Sequence, residues 1–270
     1  MSIVEKDLTT VALCWRIGRR DGVTIGFTSH DRDMIVGGVR YGAAPGLLPS
    51  ALSLGEGFDV DRLDVRGALT SDAITAEDMA AGRWDGAAVA IFMADWEDPD
   101  AAPIPLARGE LGDVVLQGAG FEAELRGATA RLERPVVEQT SPECRAQLGD
   151  KRCRVDMAGR VRMTRVAAIE EGGVVKVEAP AIGGDHSYGR VRWISGRNSG
   201  LAYAIARSDG ACLTLRDPLH FGAAAGDLVE LSEGCDRSFA TCSQRFGNAE
   251  NFRGEPHLPG TDLLTRYAGG

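Results

Sequence analysis

The most regular feature of the chain is alternation. In TVALCWRI, residues 10–17, Val11, Leu13, Trp15 and Ile17 alternate with Ala12, Cys14 and Arg16. This period of two predicts a strand with one buried face. MIVGGVRY sets Gly37-Gly38 between two β-rich runs, which predicts a tight hairpin. VRMTRVAAIEEGGVVKVEAP bends in the same way at Gly172-Gly173, and LAYAIARSDGACLTLRDP at Asp209-Gly210. The pattern predicts a mainly β protein, β-rich with a few short helices, built as two domains of antiparallel sheets or barrel-like modules.

Helical signals are short. Thr75 precedes AEDMAA, which stops at Gly82, and Ser238 precedes FATCSQRF, which stops near Gly247. A capping side chain in front and a glycine behind suit one or two turns. ERPVVEQTSPE, residues 133–143, holds two prolines and few packing residues and reads as a linker. The expected domains are therefore 1–135 and 136–270, with no fixed-period repeat and no low-complexity tract.

Composition adds bounds. With 44% hydrophobic and 26% charged residues in 270, the chain has the make-up of a globular protein with a sizeable core. No apolar run approaches the roughly 20 residues of a membrane helix, and MSIVEKDLTT lacks the features of a secretory signal, so synthesis in a reducing cytoplasm without stable membrane insertion is expected. The net charge of -9 is uneven, with 13 basic and 23 acidic residues in 1–140 against 17 and 16 in 141–270. Gripping nucleic acid needs an excess of Lys and Arg, which is missing, so DNA binding is not expected; the balance is compatible with an acidic surface that lets DNA pass without sticking.

In a reducing compartment, six cysteines argue for metal, cluster or free thiols before disulfides. Four fall in ECRAQLGDKRC and GCDRSFATC: Cys144 and Cys153, with eight residues between them, and Cys235 and Cys242, with six between them, the pairs themselves separated by 81 residues. Structural zinc favours closer pairs, two to four residues apart, that brace a tight knuckle. An iron-sulfur cluster tolerates wider spacing because its ligands come from separate loops. Four buried thiols acting as small hydrophobes are the third reading. Around these cysteines stand Arg145, Lys151, Arg152, Arg154, Arg237 and Arg245 against Asp150 and Asp236, an excess of cations that would stabilise a thiolate cluster, or else a solvated surface.

Cys14 and Cys212 lie inside expected strands and read as packed small residues. His30, beside Asp31 and Asp33, reads as part of a polar turn, and His186, His220 and His257 form no metal-binding pair. No nucleophile elbow, phosphate loop or dinucleotide fingerprint is present, so the chain is not expected to be an enzyme. The alternative is an iron-sulfur or zinc thiol-redox enzyme, which would need an accessible low-pKa thiol or an open metal position.

The stretches CWRIGRRDGVTIGFTSHDRDMIVGGVRYGA, GRVRWISGRNSG and GDLVELSEGCDRSFATCSQRFGNAENFRGEPHLPG resemble the baseplate hub or tail-tip proteins of siphophage-like tails and gene transfer agents, which are related to lambda-type tail-tip proteins. The last stretch, ending at Gly260, is the most specific. The resemblance implies a structural hub, a trimeric ring that links the end of the tail tube to the central fibre and cell-contacting parts. Implied partners are a distal tail protein, a central fibre or megatron-like protein and peptidase-like baseplate subunits, assembled after synthesis in a bacterial cytoplasm, with DNA passing through unbound. It further implies a [4Fe-4S] cluster on Cys144, Cys153, Cys235 and Cys242, with zinc as the alternative. Such a cluster would tie together segments distant in sequence and act as a staple.

Overall fold

The structure, a computed structural model, describes residues 10–43, 48–49, 62–68, 74–117, 120–127, 137–178 and 185–258. The chain forms two compact units, Met1–Val136 and Val137–Gly270.

In the first unit the strands are β1 (Val11–Gly18), β2 (Thr24–Thr28), β3 (Met34–Val36), β4 (Val39–Ala43), β5 (Leu48–Pro49), β6 (Arg62–Ala68), β7 (Ala88–Asp95), β8 (Ile104–Gln117) and β9 (Gly120–Arg126). They form one sheet in the order β3-β4-β2-β1-β7-β8-β9-β6-β5. Its pairs are antiparallel except for β2 with β4. Gly37 and Gly38 make the β3–β4 bend, both at positive φ, which a side chain would resist.

β1 departs from the one-faced strand that its alternation predicts. Trp15 and Ile17 pack with Phe27, Met79, Trp84 and Ile91, while Ala12 and Cys14 pack with Met34, Val36, Tyr41 and Ala94. The reason is position: β1 lies mid-sheet, between β2 and β7, and β3 and β4 supply apolar side chains to its second face. Cys14 is fully buried there, its thiol against Thr28 Oγ1 at 3.7 Å.

Helix α1 (Ala76–Ala80) sits where expected. Thr75 Oγ1 accepts the Asp78 amide at 3.1 Å, acidic residues occupy the first turn, and Gly82 follows at positive φ. His30 lies in a turn after β2, where its ring packs against Trp96 at 5.0 Å, tilted by 41°.

The second unit contains a closed six-stranded barrel in the order β10-β11-β14-β13-β12-β15. Its strands are β10 (Val161–Ile169), β11 (Val174–Val177), β12 (Arg190–Trp193), β13 (Ala202–Asp209), β14 (Cys212–Leu215) and β15 (Leu228–Ser232). Closure leaves no free edge, and the inward residues of each strand supply the core: Val166, Val175, Val191, Trp193, Ile205, Leu213 and Val229 are all fully buried. Trp193 meets Tyr203 edge to face at 5.4 Å. Buried Asn198 is satisfied by the Phe221 carbonyl at 2.9 Å and the Tyr203 hydroxyl at 3.0 Å. The bends at Gly172-Gly173 and Asp209-Gly210 fall as the sequence predicts.

Among the described residues no helix is long and apolar enough to cross a membrane. The expected linker 133–143 extends over residues 133–136, outside the described set. Its remainder is not free chain: Glu138 pairs with Arg145 and Arg152, and the Ser141 amide donates to Glu255 at 2.8 Å.

Candidate functional site

The four cysteines sit outside the barrel strands, on segments 137–157 and 233–258. Backbone hydrogen bonds lay these segments against each other. The Cys144 amide donates to the Arg237 carbonyl at 2.9 Å and the Arg145 amide to the Arg253 carbonyl at 3.0 Å. Gly254 allows the approach, since a Cβ there would lie 2.5 Å from the Glu143 carbonyl oxygen. The Arg145 guanidinium grips both oxygens of Glu255, at 2.7 and 3.0 Å. That pairing, together with the Ser141 amide, holds the Glu255 carboxyl down at about 2.

Each cysteine is placed by a local device. Asp150 accepts the amides of Gln147, Arg152 and Cys153, folding 147–153 into a turn with Cys153 at its end, and these bonds hold the carboxyl below its ordinary range. Cys242 lies in a π-helical turn, Thr241–Arg245, begun by Ser238, whose hydroxyl accepts the Thr241 amide at 3.1 Å. Arg237, two residues after Cys235, takes a left-handed φ of 63°. Gly234 lies so close to the chain at 187–189 that a Cβ would stand 1.9 Å from the Ser187 carbonyl oxygen.

N–H groups point at three of the sulfurs. The Arg253 amide donates to Cys144 Sγ and the Arg237 amide to Cys235 Sγ, both at 3.4 Å, and Asn248 Nδ2 stands 3.8 Å from Cys153 Sγ. Asn248 also donates to the Cys153 carbonyl at 2.6 Å, and its own carbonyl accepts from the Cys242 thiol at 3.3 Å. This one buried residue spans the two cysteine segments.

Cys144, Cys153 and Cys242 are buried and Cys235 is half-buried. Burial, and then the neighbouring thiols, push Cys242 above its ordinary range; Cys144, Cys235 and Cys153 all act on it. Cys235 is raised by burial first, against the Arg237 amide, with Asp236, Cys153 and Cys144 adding to the rise. The four thiols therefore share one electrostatic neighbourhood. Among the described residues, no three His, Cys, Asp or Glu side chains converge tightly enough for a single metal ion.

The cation excess expected around the thiols is partly committed elsewhere. Arg145 and Arg152 serve Glu138 and Glu255, and Arg245 serves buried Glu233. Arg160 shares that Glu233 carboxylate at 2.7 Å, and both guanidinium groups lie over the Phe246 ring, at 5.0 and 4.8 Å. These arginines clamp the segments to the barrel. Cys14 lies in β1 of the first unit and Cys212, half-buried, in β14 of the barrel, and His186 is buried in the chain leading to β12.

Residues 2–156 match the family described as baseplate hub protein, N-terminal attachment domain. The chain belongs to the baseplate hub protein family. Residues 184–262 of this hub protein match a second family, described as a phage conserved hypothetical protein. Cys144 and Cys153 thus fall in the first match and Cys235 and Cys242 in the second. Among solved structures, the hub protein is similar to a chain of the virion of the native gene transfer agent (GTA) particle. That similarity has 35% identity and a TM-score of 0.83, over 100% of this chain and 97% of the other. No curated protein matches it.

Proposed function

We propose that the protein is a structural hub of a phage-like tail or gene transfer agent. It forms a trimeric ring in the baseplate and joins the end of the tail tube to the central fibre and cell-contacting subunits. The observation that carries this reading is the end-to-end likeness to a chain of the GTA virion, which spans both units and not one shared domain. A distal tail protein, a megatron-like fibre protein and peptidase-like subunits are its neighbours, and the acid-rich first unit lets DNA pass without adhering. Immunogold labelling of intact particles with antibody to the barrel tests this. Gold at the distal tip of the tail supports it; gold along the shaft or on the head overturns it.

The second part of the proposal is a [4Fe-4S] cluster on Cys144, Cys153, Cys235 and Cys242, acting as a staple. The residues present fit such a group. Four thiols share one neighbourhood, and N–H groups aimed at three of the sulfurs would stabilise the negative charge of a thiolate cluster. A lone zinc ion needs its donors about 2.3 Å from one centre. Zinc on the same four thiols is the alternative, and among the described residues no three donors are already gathered around one metal position. A thiol-redox enzyme would need a thiol with a lowered pKa, and burial drives Cys235 and Cys242 in the other direction.

A further inference from the structure

Beside the cysteine segments, against the outer face of the barrel, lies a cavity of about 860 Å3. Along β12 and β13, Val191, Trp193, Tyr203 and Ile205 point inward, so Arg190, Ala202 and Ala204 face out and line it. The small alanines leave the space. Arg216, Arg237 and the half-buried Cys235 complete the part that concerns recognition.

The charges in this groove are unbalanced once internal commitments are removed. Glu233 is held by Arg160 and Arg245, and Asp236 accepts the Ser238 amide and the Thr241 hydroxyl, both at 2.9 Å. Arg190, Arg216 and Arg237 have no side-chain partner among the described residues, and they outnumber the two carboxylates not paired with a cation, Glu143 and Asp236, the latter still charged because its hydrogen-bond donors are neutral. Tyr188 adds an aromatic ring that is 58% exposed, on backbone with a left-handed φ of 62°. Guanidinium groups beside an exposed aromatic suit a carboxylate-bearing loop.

The first unit carries a loop of that chemistry. Between β7 and β8, residues 96–101 (WEDPDA) expose Glu97, Asp98 and Asp100, none with a side-chain partner among the described residues, and Trp96 is 37% exposed. We propose that the groove receives the 96–101 loop of a second copy of this chain, its carboxylates meeting Arg190, Arg216 and Arg237. One surface then binds a different surface on the next copy, the kind of contact that builds a ring when its rotation closes. The loop would also cover Cys235, the one cysteine of the four that is not buried. The proposal rests on the hub reading only in taking another copy as the occupant.

The test is sedimentation of the full chain over a range of concentrations, at about 0.02 M and about 0.5 M salt, on either side of the ~10 Å screening length reached near 0.1 M. Wild type is compared with a groove variant (R190E/R216E/R237E) and a loop variant (E97K/D98K/D100K). Wild type should associate with concentration at low salt, and each variant alone should weaken that association by about tenfold or more. An equal mixture of the two variants should restore pairwise association, because the reversed groove fits the reversed loop and the native loop fits the native groove, whereas a closed ring of three would keep one mismatched junction. Circular dichroism confirms that each variant is folded; if the Arg237 change disturbs the cysteine segment, the R190E/R216E pair takes its place. A wild type that stays monomeric, variants that associate like wild type, or a mixture that restores nothing would each overturn the contact. Assembly through a surface insensitive to all these charges would do so while leaving the hub reading intact.

Discussion

The barrel and the cysteine segments belong to one unit and are held by opposite means. In the barrel, regular strands pair around a closed ring and apolar side chains fill the interior, so each residue supports many others. The cysteine segments have only short helical turns, and their apolar cluster is Cys144, Ala146 and Cys153 with Leu148, Val155 and Phe252 packed against it. What fixes them is a set of single contacts: Asp150 on three amides, Asn248 across the gap, Arg145 on Glu255, and glycines that permit close approach. A core of that size does little against the conformational entropy of so much irregular chain. The contrast explains why a cross-link would be placed here and not in the barrel.

Substitutions can sharpen or break this contrast. The largest effect should come from Trp193→Ala in the barrel, where loss of a fully buried ring costs about 3–5 kcal/mol and should carry the cysteine segments down with it. Chemical denaturation followed by far-ultraviolet dichroism reads this; unfolding that spares the barrel would break the ranking. Gly234→Ala should come next, at about 1–3 kcal/mol, because its Cβ meets backbone at 187–189 that cannot swing away. Bound metal should fall more sharply than the melting temperature, since the displaced residue is the neighbour of Cys235.

Asn248→Ala removes the donor to the Cys153 carbonyl, at a cost of about 1–3 kcal/mol. Hydrogen exchange should accelerate in segments 137–157 and 233–258 and stay unchanged in β12 and β13. Equal acceleration throughout would mean that the two regions unfold as one. The smallest effect belongs to Glu255. Its carboxyl is held at about 2, below the ordinary glutamate range, so its pairing supports the fold above that range and is lost as pH falls toward 2. Glu255→Gln should flatten the acid limb of the stability curve by lowering stability above that interval, neutral pH included, while leaving stability below about pH 2 unchanged; the drop is small, since the pair is partly exposed.

The same contrast governs what the sequence disclosed. Hairpin bends at Gly37-Gly38, Gly172-Gly173 and Asp209-Gly210 were legible because strand periodicity and turn chemistry are local. The Thr75 cap was legible for the same reason. The two-sided burial of β1 was not, because it depends on a mid-sheet position that only pairing between distant strands decides. The cysteines stood out by residue type and spacing. Asn248, Glu255, Asp150 and Glu233 did not, because each acts through contacts set by tertiary geometry. Asn248 reaches a carbonyl 95 positions away, and the pattern around it, FGNAENFRG, shows an asparagine six residues after Cys242 without saying what it holds. The cation excess was visible as composition, but its division between clamp residues and free guanidinium groups required the fold.

The claim at the centre of this account is that the four cysteines hold a cluster that staples the irregular segments to the barrel. It is tested most directly by iron, acid-labile sulfide and zinc analysis of protein purified without oxygen, on wild type and on Cys235→Ser. The account predicts about four iron and four sulfide per chain, falling with the substitution. Stoichiometric zinc without iron, or no bound metal at all in a folded protein, would contradict it.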